Sequence, residues 1–134
     1  IGVSEGHHPL SHHQGDPEKL AAISKINQLH LAAFTEFVQG LAARRVLDGS
    51  LLDATAVVYG SGIAEGDRHD HHDLPVLVVG GKDLAIRGGR TLVVPPETPL
   101  NNLHAALLQR LGVPDIGSAG LPFGDATGIL EGLA

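Results

Sequence analysis

Apolar residues follow two different spacings along the chain. Leu20, Ile23, Ile26, Leu29, Ala33, Phe34, Phe37, Val38 and Leu41 recur mostly three or four apart, which lines one face of a helix. Asp16-Pro17-Glu18 stands just ahead of them. Aspartate caps free N–H groups, proline suits the first helical position, and an acid in the first turn meets the positive end of the dipole. The pattern predicts one long amphipathic helix over roughly 17–44. Leu47-Asp48-Gly49-Ser50 then turns the chain. Ala54–Tyr59 and Leu74–Val79 are apolar on both faces and rich in β-branched residues, which predicts two buried, parallel strands. Gly60-Ser61-Gly62 breaks the first, a polar loop spans 61–73, and Gly80-Gly81 stops the second. Leu84–Arg87 and Arg90–Val94 flank Gly88-Gly89 and predict a β-hairpin. Thr98-Pro99 opens a second helix over roughly 99–111, with Leu100, Leu103, Leu107, Leu108 and Leu111 along one face. A Gly-rich tail, 115–134, carries Phe123-Gly124-Asp125. The order implies an α/β fold: a mostly parallel sheet with flanking helices and a β-hairpin.

Composition narrows the function classes. A chain of 134 residues, 43% apolar and 18% charged, fits one globular domain or a segment of a larger one. Aromatics are 3%, so the core must be aliphatic. The net charge is −6 and Arg44-Arg45 is the only adjacent basic pair, which argues against a nucleic-acid partner. No apolar run reaches membrane-spanning length. There is no cysteine, which removes thiolate ligands and a Cys nucleophile and leaves imidazole and carboxylate to hold any metal.

Histidine is where the chemistry concentrates. Seven of nine histidines form two clusters: His7, His8, His12, His13, and His69, His71, His72. His8 and His12 are four apart, and Pro9 disfavours a regular helix before position 10, so this pair is expected to meet through a turn. His69 and His71 would share one side of an extended segment. One pair from each cluster, with Asp70 or Asp73, makes a three- or four-ligand nitrogen/oxygen site. Asp16, Asp67, Asp70 and Asp73 are at hand to hold the second nitrogen of a ligating ring. Two plainer readings compete: solvated polar loops, and a loop–loop clamp. His30 and His104 read as helix-face residues. Ser11 reads as a hydrogen-bonding loop residue, since no G-x-S-x-G motif is present.

His8-Pro9-Leu10-Ser11-His12-His13 matches H-x-x-S-H-H, and the chain resembles the HXXSHH family of bacterial proteins. LLDATAVVYGSGIAEGDRHDHHDLPVLVVGG, the Gly-Gly hairpin, TPLNNLHAALLQRLGV and FGDATGIL extend that resemblance over essentially the whole sequence. It implies a C-terminal segment of a longer protein that begins with a twin-arginine-type signal. By the same resemblance the protein is exported, periplasmic or cell-surface, and the rest of the full-length chain is a partner. The order also remotely resembles the alkaline phosphatase/sulfatase superfamily, with His8-x-x-x-His12 in place of its D-x-x-x-H loop. Leu51-Leu52-Asp53-Ala54-Thr55 opens the corresponding strand, and His69 to His72 occupy the later histidine loop. Gly60-Ser61-Gly62 departs from it, standing where those enzymes carry a metal-binding Asp-His pair. The resemblance implies an alkaline-phosphatase-like hydrolase of phosphate or sulfate esters, on small molecules or polymers. In it His8, His12, His69, His71 and His72 supply the ligands of a divalent ion, zinc foremost, and His13 acts as a general acid or behind the ligands. A non-catalytic metal- or ligand-binding module is the alternative.

Overall fold

A computed structural model describes residues 1–117 and 120–134; Ser118 and Ala119, in the Gly-rich tail, lie outside the described residues. The chain divides into two compact units, one of residues 1–43 with 58–77 and one of 44–57 with 78–134.

The first unit begins with a short helix, α1 (His7–Ser11), which places Pro9 in its first turn. The expectation of no regular helix before residue 10 is thus corrected. The first N–H groups of a helix have no intrahelical acceptor, so a proline among them forfeits nothing. Ser11 Oγ closes the turn by donating to the His8 carbonyl at 2.8 Å. Leu10, only 2% exposed, anchors it.

The long helix α2 (Pro17–Ala43) forms as the periodicity predicts. Asp16 Oδ1 accepts the Glu18 N–H at 2.8 Å, satisfying one of the free donors at the helix start. No residue of α2 is fully buried. Phe34 stacks on Tyr59, ring centroids 4.5 Å apart and 27° from parallel.

In the second unit, β1 (Arg45–Val46) and β2 (Gly49–Ser50) pair antiparallel across Leu47-Asp48. Asp53 Oδ2 accepts both the N–H and the hydroxyl of Ser50, each at 2.8 Å. Helix α3 (Leu100–Arg110) carries the core: Leu103, Ala105, Ala106 and Leu107 are buried, as are Ile86, Ile116 and Leu133. Buried Asn102 staples the tail. Its Oδ1 accepts the Thr127 N–H at 2.9 Å, and its carbonyl accepts the Leu130 N–H at 3.0 Å.

The remaining strands, β3 (Ala56–Gly60) and β4 (Val76–Gly80), make a second two-stranded pair. Gly60 lies against Pro75 and Val76, and Gly80 lies against Thr55 and Leu52, so the two strands run in opposite directions. This overturns the expected mostly parallel, alkaline-phosphatase-like sheet: the described residues form only short two-stranded sheets. The physical reason is the connection. A parallel return needs a crossover, usually a helix, and residues 61–75 contain none. The both-faces-apolar pattern matched buried parallel strands, yet these strands are half-buried or exposed.

The expected hairpin at 84–94 is also absent from the described strands. Lys82–Leu84 forms a 3-10 turn instead. The Arg87 N–H bonds to the Leu133 carbonyl at 2.8 Å, and the Arg90 guanidinium donates to the carbonyls of Gly132 and Ala134. The Arg87 N–H, a backbone donor that a hairpin ladder could use, is thus spent on the C-terminal tail.

Candidate metal centre

Every residue of the candidate site belongs to the first unit. The segment after α1 supplies one side. His12 closes α1, and Gln14 then adopts a left-handed φ of 49°. That turn directs the Gln14 N–H to Asp67 Oδ2, at 2.7 Å. The loop after β3 supplies the other side. Its base is zipped by backbone bonds: the Ala64 N–H bonds to the Asp70 carbonyl and the Asp70 N–H to the Glu65 carbonyl. Gly66 rests against Ser11: a Cβ there would sit 2.7 Å from the Ser11 carbonyl oxygen. Only a residue without a side chain allows that approach.

The two histidine loops therefore converge. His13 lies between two carboxylates, Nε2 being 3.1 Å from Glu65 Oε1 and Nδ1 3.2 Å from Asp67 Oδ2. The three side chains are partly exposed, at 19% for His13, 38% for Glu65 and 21% for Asp67. Each offers one ligand atom, and these atoms all lie within 4.8 Å of one another, so the group can hold a metal ion. At the tetrahedral angle, two ligands each about 2.0–2.2 Å from one small divalent ion stand about 3.3–3.6 Å apart. The His13–Glu65 separation of 3.1 Å falls just short of that spacing.

Glu65 is held in its charged form. N–H groups of Arg68 and Asp67 donate to its carboxylate at 2.9 and 3.1 Å and push its pKa below the usual range. Each ring nitrogen of His13 has a carboxylate oxygen beside it, Glu65 at Nε2 and Asp67 at Nδ1. The Gly15 N–H donates to Nδ1 at 3.1 Å.

Beside this group lies a row of imidazoles. The His8 and His12 rings meet edge to face with centroids 4.9 Å apart, and His12 meets His69 at 5.0 Å. His7 approaches His30 of α2 at 6.3 Å. His71 Nδ1 is 2.6 Å from the Gly62 carbonyl. His72 Nδ1 is 2.6 Å from Asp70 Oδ1, and the His72 N–H and ring hold the Asp70 pKa low. Of the residues singled out as ligands, His8, His12 and His69 are thus neighbours, while His71 and His72 are tied within their own loop. His13, singled out for acid chemistry, sits at the centre of the group with ligand geometry.

Glu65 is the member that spacing did not reveal. Its signal was the Glu65-Gly66-Asp67 triplet, two acids bracketing a glycine, just ahead of the second histidine cluster.

The described helices include none long and apolar enough to cross a membrane. No family model matches the chain, and no curated protein or solved structure matches it either.

Proposed function

We propose that this chain is a divalent-cation-binding module whose ion is held by His13, Glu65 and Asp67. The supporting observation is the convergence of two loops more than fifty residues apart in sequence on one imidazole flanked by two carboxylates. One nitrogen and two oxygens make a borderline donor set that suits zinc and also admits manganese or iron; zinc is the ion we propose. Purified protein stripped with chelator is titrated with zinc by calorimetry. We expect one site, with affinity falling at least tenfold in His13→Ala and in Glu65→Gln. Equal affinity in wild type and both variants defeats the reading.

A second reading has its own observation. Both nitrogens of His13 face carboxylate oxygens, which also suits an imidazolium clamping two acidic groups. The same titration separates the two, because a clamp alone takes up no zinc.

We further propose phosphate- or sulfate-ester hydrolysis, on the family resemblance. A cation at this site would supply Lewis-acid polarisation of an ester oxygen, with the His8, His12 and His69 rings in contact with one another in the same unit. Aryl phosphate and aryl sulfate are the test substrates. Turnover abolished by chelation and by Glu65→Gln supports hydrolysis; zinc binding without turnover leaves a binding module.

A further inference from the structure

A different part of the first unit carries a separate conclusion. Helix α2 is 27 residues long and buries none of them fully. One side is half-buried at Ile23, Ile26, Phe34, Val38 and Leu41, with Phe34 stacked on Tyr59. Next to that side Leu29 is 49% exposed and Phe37 55% exposed. Ile26, Leu29, Ala33 and Phe37 are spaced three and four apart, so they form a continuous apolar stripe. Exposed Lys25 and Glu36 border it, one near each end.

Those two charges select the occupant. A parallel copy of α2 would set Lys25 beside Lys25 and Glu36 beside Glu36, which repels. An antiparallel copy centred on Leu31 brings Lys25 within one position of Glu36 of the other copy, and does so twice by symmetry. The same register sets Leu29 against Ala33 of the other copy, large against small, and lays Phe37 over the aliphatic stem of the opposite Lys25. A two-fold arrangement uses the same patch on both copies, as closed homodimers do.

We infer that the Leu29–Phe37 face of α2 is a homodimer interface between antiparallel copies of this chain. A helix of this length spans about 40 Å, and one helix pair buries on the order of 1,000 Å², the low end for a specific interface. The dimer is therefore weak and reversible.

Sedimentation equilibrium between about 10 µM and 1 mM, a range set by such an interface, tests it. We expect a monomer–dimer equilibrium, weakened at least tenfold by Leu29→Glu with unchanged helical circular dichroism, since Leu29 is half exposed in the single chain. Mixing Lys25→Glu with Glu36→Lys should yield heterodimers in preference to either homodimer, because both charge contacts are then favourable only across the mixed pair. A chain that stays monomeric at 1 mM overturns the inference. So does association indifferent to Leu29→Glu, or mixed charge variants that show no preference.

Discussion

Glu65 accepts two N–H groups of its own loop and also faces His13. Those donors favour the ionised carboxylate, so its pKa is depressed in the folded loop. The sign follows from linkage. A group with a depressed folded pKa lends stability that is complete above its unfolded pKa and is lost as pH falls through the folded value. Asp70, held low by the His72 N–H and ring, works in the same direction. The loop from Ala64 to Asp70 should therefore keep its bonds at neutral pH and loosen only as pH falls below the usual carboxylate range. Amide resonances of Asp67 and Arg68, followed by NMR through an acid titration, should move with a midpoint below that of a free glutamate. Glu65→Gln should abolish that titration; an unchanged curve in the variant refutes the assignment. At this scale the histidines were legible because their density is unusual, and Asp67 was legible as a carboxylate partner. Glu65 was not, because its role depends on a backbone reversal that no local pattern encodes.

Two elements meet at the centre through Gly66, and its missing side chain sets how closely. A Cβ there would fall 2.7 Å from the Ser11 carbonyl oxygen and 2.8 Å from Ser11 Cβ. The first of these is backbone and cannot swing aside. Gly66→Ala should push the α1 end and the later loop apart, lower zinc affinity at least tenfold, and leave α2 helical. Calorimetry on the variant checks it, and wild-type affinity would contradict the close approach. The start of α2 offers an independent element test: Asp16→Ala removes the cap at Glu18 and should cost about 1 kcal/mol in urea unfolding. Helices α2 and α3 were readable in advance, because helix starts and three-to-four spacing are local, whereas Pro9 hid α1. The positions of β3 and β4 were readable too, but their pairing was not. Ala54–Tyr59 and Leu74–Val79 carry the apolar runs of buried strands, but pairing direction is decided by the connection, and the helix-free segment between them brings β4 back antiparallel.

Among the described residues few apolar side chains are buried, and half of them, Leu103, Ala105, Ala106 and Leu107, belong to α3. An aliphatic composition predicted the kind of core but not its location. What holds the second unit's tail is polar. Asn102 is 8% exposed, accepts the Thr127 N–H through Oδ1, donates Nδ2–H to Thr127 Oγ1, and offers its carbonyl to the Leu130 N–H. Replacing it with alanine keeps the last of these bonds, removes the first two, and strands the Thr127 N–H without its side-chain acceptor. Thr127 is exposed, so water can take the acceptor's place and the loss is that of an ordinary hydrogen bond, about 1 kcal/mol. Hydrogen exchange should then quicken at Thr127 and along the segment to Leu133, whose carbonyl bonds Arg87. None of the Asn102 bonds reaches His13, Glu65 or Asp67, and contributions without shared partners add independently. Zinc affinity should accordingly stay within twofold of wild type while the tail frays. Loss of zinc binding in Asn102→Ala would show instead that the two units are energetically coupled, and that the centre depends on the α3 core for its geometry.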